Sequence, residues 1–152
     1  MNKSWPYQES VEIPLIMRAM GFPAQQSTQL VCSVDISGTI LNFAGVAPTR
    51  PGRPQPPPDS AGHPAASWRK RVVIENPKDR FWQMYREFQP AAGKDFAFIR
   101  HLDGPTPEFY DLAVDEYQLA SKPAMVTPDM RSKLDRLTSL KGANLRAVGE
   151  EA

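Results

Sequence analysis

The densest run of chemistry-bearing residues is Trp68-Arg69-Lys70-Arg71, where an indole stands beside three cations. An aromatic ring can stack on a base while neighbouring cations meet phosphates, so this run, joined by Arg100, is a candidate nucleic-acid contact. The same charges also suit a strand edge guarded against pairing with another chain. A second pattern, Pro48-Thr49-Arg50-Pro51-Gly52-Arg53, sets Pro48, Pro51 and Arg53 in the PxxP-plus-cation spacing that aromatic grooves read from a polyproline II helix, and so marks a candidate protein-docking segment. Seven of the 16 prolines fall within residues 47–66, a stretch that can neither join a sheet ladder nor bury a core. It is expected to be a proline-rich flexible loop or linker within the fold.

Two further patterns carry carboxylates. Val34-Asp35-Ile36-Ser37-Gly38-Thr39 resembles the opening motif of the haloacid dehalogenase superfamily, an apolar strand followed by Asp-x-x-Gly-Thr, in which the first Asp is the nucleophile. Here Ser37 stands at the second acidic position, and no matching downstream acidic pair for magnesium follows. Asp103 with Glu116-Tyr117-Gln118 is similar to the spacing of divergent PD-(D/E)xK nucleases, in which two carboxylates hold a magnesium ion that activates water. Gln118 replaces the usual Lys. The same carboxylates, with Glu108, Asp111 and Asp115, also make the solvated face of an amphipathic helix. No catalytic residue is therefore assigned.

Metal and redox chemistry find little support. Cys32 is the single cysteine, which excludes an intramolecular disulfide and multi-cysteine zinc sites and suits a reducing, cytoplasmic setting. His63 and His101 are far apart in the chain, so no metal ligands and no cofactor are expected. Lys and Arg number 18 against 17 Asp and Glu, and the resulting +1 charge leaves no whole-chain field to draw in nucleic acid or an anionic membrane. Glu12, Pro14 and Arg18 interrupt the apolar run near the start, so neither a signal peptide nor a spanning helix is expected.

The elements that must position these residues follow from punctuation and period. At 152 residues the chain fits one core, read as a single α+β domain over residues 1–152. Val11, Leu15, Ile16, Met17 and Met20 suggest a short helix. Residues 29–36 and 39–46, rich in Val, Ile and Leu around Ser37-Gly38, predict two hairpin strands. Val72-Val73-Ile74 marks a third strand, and Phe96, Phe98 and Arg100 alternate as a fourth. Between these two, Asn76, Pro77 and the spacing of Phe81, Met84, Tyr85 and Phe88 predict a helix ending at Pro90. Residues 107–120 read as a helix opened by Thr106-Pro107-Glu108, with a hairpin strand as the alternative. Thr127 and Pro128 start a final helix along Met130, Leu134 and Leu137.

The sum is a mainly antiparallel sheet of about four strands packed by helices, with a proline-rich loop. Its expected role is non-catalytic binding, as an adaptor acting through protein-protein contacts. The alternative is a nucleic-acid-binding accessory protein using Trp68, Arg69, Lys70 and Arg71. A metal-dependent nuclease-like enzyme is third.

Overall fold

The computed structural model describes residues 4–18, 24, 26, 29–46, 69–76, 78, 81–104 and 106–140. The proline-rich segment, with Pro48, Pro51 and Arg53, lies outside the described residues, as does Trp68. The chain forms two compact units, one from Met1–Leu15 with Arg71–Ser139 and one from Ile16–Lys70 with Leu140–Ala152.

The first unit is built on a four-stranded antiparallel sheet, β1 (Arg71–Asn76), β2 (Trp82–Gln89), β3 (Lys94–His101) and β4 (Glu108–Asp111), in that spatial order. With the helices described below, the fold class is α+β. Register follows simple hairpins. Val73 lies opposite Tyr85, Tyr85 opposite Phe98, and Phe98 opposite Phe109. A short turn at Pro90–Ala92, closed by Gly93 at φ +65°, joins β2 to β3. Glycine adopts this left-handed geometry without steric cost.

Both faces of the sheet are buried. On one, Trp82, Met84, Ala97, Ile99, Tyr110 and Leu112 form a core cluster. It is covered by the N-terminal segment, whose short helix α1 (Gln8–Val11) brings Tyr7 and Val11 onto the cluster. The Trp82 indole N–H donates to the Ser4 carbonyl at 2.7 Å, and the Tyr7 ring meets Tyr110 edge-on at 6.4 Å. On the other face Tyr85, Phe96, Phe98 and Phe109 are buried, with Phe96 5.3 Å from Phe109. The C-terminal helix of this unit, Pro128–Ser139, covers them, burying Leu134 and Leu137 and setting Arg131 5.8 Å over the Phe98 ring. Thr127 Oγ accepts the Met130 N–H at 3.2 Å, which is the cap expected from the sequence.

The second unit holds the helix Ser33–Phe43, called α2, so that the C-terminal helix is α3. The hairpin expected over residues 29–46 is therefore corrected to a helix. The Asp35 carboxylate reaches back to accept the Cys32 N–H at 2.8 Å, one half of a capping box. At the far end Gly45 takes φ +67° and the Val46 N–H returns to the Leu41 carbonyl at 2.9 Å, a Schellman stop. These two end devices outweigh the β-branched composition.

Three other expectations need correction. The helix predicted between Asn76 and Pro90 is strand β2. Asn76 does accept a backbone N–H, from Lys78 at 3.3 Å, but the bond closes an Asx turn rather than capping a helix. Phe81 at φ +49° then redirects the chain. The stripe of Phe81, Met84, Tyr85 and Phe88 does not share a face, because a strand buried on both sides places large residues at both parities. Residues 108–111 form a strand rather than the preferred helix, so the hairpin alternative holds. Finally, only Gln8–Val11 is helical near the start, and Glu12 to Arg18 are not.

Phe98 is closed to solvent and Phe88 is only partly buried beside the Arg86 guanidinium. Phe98→Ala should therefore cost about 3–5 kcal/mol, read from denaturant midpoints, and Phe88→Ala clearly less. Equal losses would contradict the two-faced burial of the sheet.

Candidate functional site

Three of the four cations that marked the sequence as a nucleic-acid candidate, Arg69, Arg71 and Arg100, are opposed by carboxylates. Arg69 is buried with its Nη2 2.6 Å from Asp35 Oδ1 in the second unit. Arg71, at the start of β1 in the first unit, is buried with Nε 3.4 Å from Glu87 Oε2. Arg100 on β3 donates to Asp135 of α3 at 2.5 Å and to Gln83 at 2.5 and 3.0 Å. Lys70 is half-buried. Burying a guanidinium without its carboxylate would cost roughly 3–5 kcal/mol, so the Arg69 and Arg71 pairs stand as internal structure, whereas Arg100 meets Asp135 at the surface.

Asp35 does not sit at the end of a strand as the dehalogenase-like motif requires. It occupies the first turn of α2, and both carboxylate oxygens are engaged, one by Cys32 N–H and one by Arg69. Thr39 Oγ donates back to the Asp35 carbonyl at 2.7 Å. Burial pushes the Cys32 thiol above its usual range, with Arg69 pulling the other way, so the sulfur is not an activated nucleophile. The nuclease-like carboxylates, Asp103 just after β3 and Glu116, are both exposed and neither stands on a strand. Glu116 and Gln118 lie in turns after β4 rather than on a strand, and the buried Gln118 side chain accepts the Gln8 N–H at 2.7 Å. Among the described residues no group of three or more His, Cys, Asp or Glu is placed to hold a metal ion.

Two polar clusters in the first unit, one buried and one half-buried, were not singled out from the sequence. The first centres on Glu87 of β2, which is 2% exposed. Its carboxylate accepts from the Tyr85 hydroxyl and from Gln89 Nε2 at 2.5 Å, and it faces Arg71 and Lys94. Burial alone would raise its pKa, but the Tyr85 hydroxyl, Arg71, Lys94 and Lys133 together hold it below the usual carboxylate range. The second centres on Glu108 of β4, which is 2.5 Å from His101 Nε2 and accepts from the Tyr110 hydroxyl. Burial, then the adjacent Glu108, raises the pKa of both Tyr110 and Tyr7. These phenols are hydrogen-bond donors at neutral pH, not bases. Strand alternation is the signal that would have exposed the first cluster, since Tyr85, Glu87 and Gln89 share a face once residues 82–89 are read as a strand.

A shallow cleft of about 380 Å³ opens beside the first face, next to Leu112 and the N-terminal segment, with Glu12, Asp95 and Glu116 on its walls and Arg86 bonded to Asp95 at 2.5 Å. A second exposed feature is apolar. On α2 the side chains of Val34, Ile36, Ile40, Leu41 and Phe43 face solvent, while Asp35 and Thr39 are buried. Ile36, Ile40 and Phe43 recur at i, i+4 and i+7, so they form one stripe. Among the described residues no helix is long and apolar enough to cross a membrane. Compared with protein families, with curated proteins and with solved structures, the chain matches none.

The depressed Glu87 pKa fixes the sign of a pH effect. Its charged form stabilises the fold above the unfolded-state carboxyl range, and that contribution is lost as pH falls through the lower folded value. Glu87→Gln should therefore destabilise the chain at neutral pH, with the gap to wild type closing in acid, as followed by denaturant titration across pH. A gap that widens in acid would reverse the assignment.

Proposed function

We propose that this chain is a non-catalytic binding or adaptor protein acting through protein-protein contacts, with the exposed stripe of α2 as its contact surface. One observation carries the reading. Val34, Ile40 and Phe43 are 73%, 62% and 48% exposed on a helix whose one charged side chain, Asp35, is turned inward to Arg69. Isolated surface apolar residues are ordinary, but a run of them on a single helix marks an interaction site. The matching partner is a protein with an apolar groove, which takes i, i+4 and i+7 anchors from an amphipathic helix.

The stripe offers nothing to phosphates, and the pairing of Arg69 and Arg71 with buried carboxylates withdraws two of the three cations of the Arg69-Lys70-Arg71 run from counterion release. This is the reason for preferring a protein partner to nucleic acid. The single thiol, Cys32, fits a cytoplasmic setting.

Ile40→Glu should weaken partner binding by about tenfold or more, because it places a charge at the centre of the stripe. The measurement is titration of wild type and variant against a partner purified after capture on the immobilised chain, at low and moderate salt. Wild-type affinity should hold through moderate salt. Binding to mixed-sequence DNA or RNA that falls steeply with salt and ignores Ile40→Glu would replace this reading with the nucleic-acid one.

A further inference from the structure

Helix α2 is amphipathic in the inverse sense. On an ordinary surface helix the apolar stripe faces the core and the charged residues face water. Here the buried positions are Asp35, Gly38 and Thr39, at i, i+3 and i+4, whereas Val34, Ile36, Ile40, Leu41 and Phe43 face solvent. The hydrophobic effect by itself would turn the helix the other way, since apolar side chains gain by leaving water and a lone carboxylate loses. A specific interaction must therefore fix α2 about its axis.

The partners of Asp35 identify that interaction. One carboxylate oxygen accepts the Cys32 N–H at 2.8 Å, but this cap lies within the first turn and moves with the helix. Thr39 Oγ donates to the Asp35 carbonyl at 2.7 Å, again within the helix. The other Asp35 oxygen lies 2.6 Å from Arg69 Nη2, and both side chains are more than nine-tenths buried. Among the described residues Arg69 is the one cation paired with Asp35, and its guanidinium also meets the Cys32 thiol. Arg69 is 34 positions away in the chain and belongs to the same unit as α2, so this contact does tie the helix to a neighbour.

We infer that Arg69 is the positioning residue of this surface: by neutralising Asp35 inside the second unit, its guanidinium holds the apolar stripe of α2 outward. Its part in recognition rests on the reading of that stripe as the contact surface, whereas its part in orienting the helix does not. A buried carboxylate that loses its cation is driven toward water. A roll of about a third of a turn around the helix axis brings Asp35 out and carries Ile36, Ile40 and Phe43 away from solvent. Two neutral side chains in place of the pair make no such demand. Presentation of the stripe thus depends on the balance of charge between Asp35 and Arg69, not on Arg69 as packing.

The test measures the stripe without any partner. In the full-length chain carrying Cys32→Ser, Ile40→Cys sets a single thiol at the centre of the stripe. Its rate of reaction with a charged, water-soluble maleimide reports exposure, with folding followed by circular dichroism. Arg69→Met should slow labelling by about tenfold or more, with Arg69→Lys falling between. Adding Asp35→Asn to Arg69→Met should restore the rate, because no charge is left to bury, and this recovery separates an orienting ion pair from simple packing. Labelling at the reference rate in a folded Arg69→Met chain overturns the inference. So does a double variant that behaves like Arg69→Met, and if Arg69→Met unfolds, the double variant must regain both helicity and the reference rate. Loss of the partner binding described above, with this labelling pattern intact, removes the contact reading and leaves Arg69 as the residue that orients α2.

Discussion

Met84 and Tyr85 are neighbours in the chain, project to opposite faces of the sheet, and are both closed to solvent. A sheet whose central strands bury both faces needs two covers, since one exposed face would leave a row of Trp, Met and Ile, or of Tyr and Phe, in water at roughly 25 cal/mol for each Å². The N-terminal segment supplies one cover and α3 the other. Both lie far from the strands they protect in sequence or at their far end, which makes the first unit discontinuous. Its order β1-β2-β3-β4 is a meander of local hairpins, but its covers depend on Tyr7, Val11, Leu134 and Leu137, which come from the two ends of the unit's sequence.

Two-sided burial also dictates where charge goes. A charged side chain on β2 or β3 has no solvent face to escape to over the centre of the sheet, so it must meet a partner. Glu87 meets Arg71, Lys94 and the Tyr85 hydroxyl, Arg86 meets Asp95, and Glu108 meets His101 and Tyr110. In the second unit Asp35 both caps α2 and pairs with Arg69. Arg69 and Arg71 of the basic run, and Asp35 of the dehalogenase-like motif, are in this way absorbed by folding. What remains for recognition among the described residues is the apolar surface of α2, which is why the proposed function rests on that helix rather than on a reaction centre.

Some of this was legible in the residues alone. The fold class, the strands around Val73 and Phe98, and the last helix with its Thr127 cap follow from local composition and end signals, which need no distant partner to act. The same holds for the low net charge and the lone thiol. The stop of α2 at Gly45 was also present as a local signal, in the order Phe43-Ala44-Gly45, although the Val- and Ile-rich composition around it favours strands.

Tertiary structure decided the rest. Residues 82–89 carry spacing that suits one helical face or two buried strand faces equally, and only pairing with β1 and β3 separates the two. Asn76 offers a side-chain acceptor that serves a helix cap and an Asx turn alike, and the left-handed Phe81 that follows selects the turn. The fate of Arg69 and Arg71 was likewise beyond reach, because an ion pair depends on which carboxylate the fold brings within a few ångströms. Local signals specify what the backbone can begin and end, whereas pairing, burial and the neutralisation of charge depend on residues distant in sequence that meet only in the folded chain.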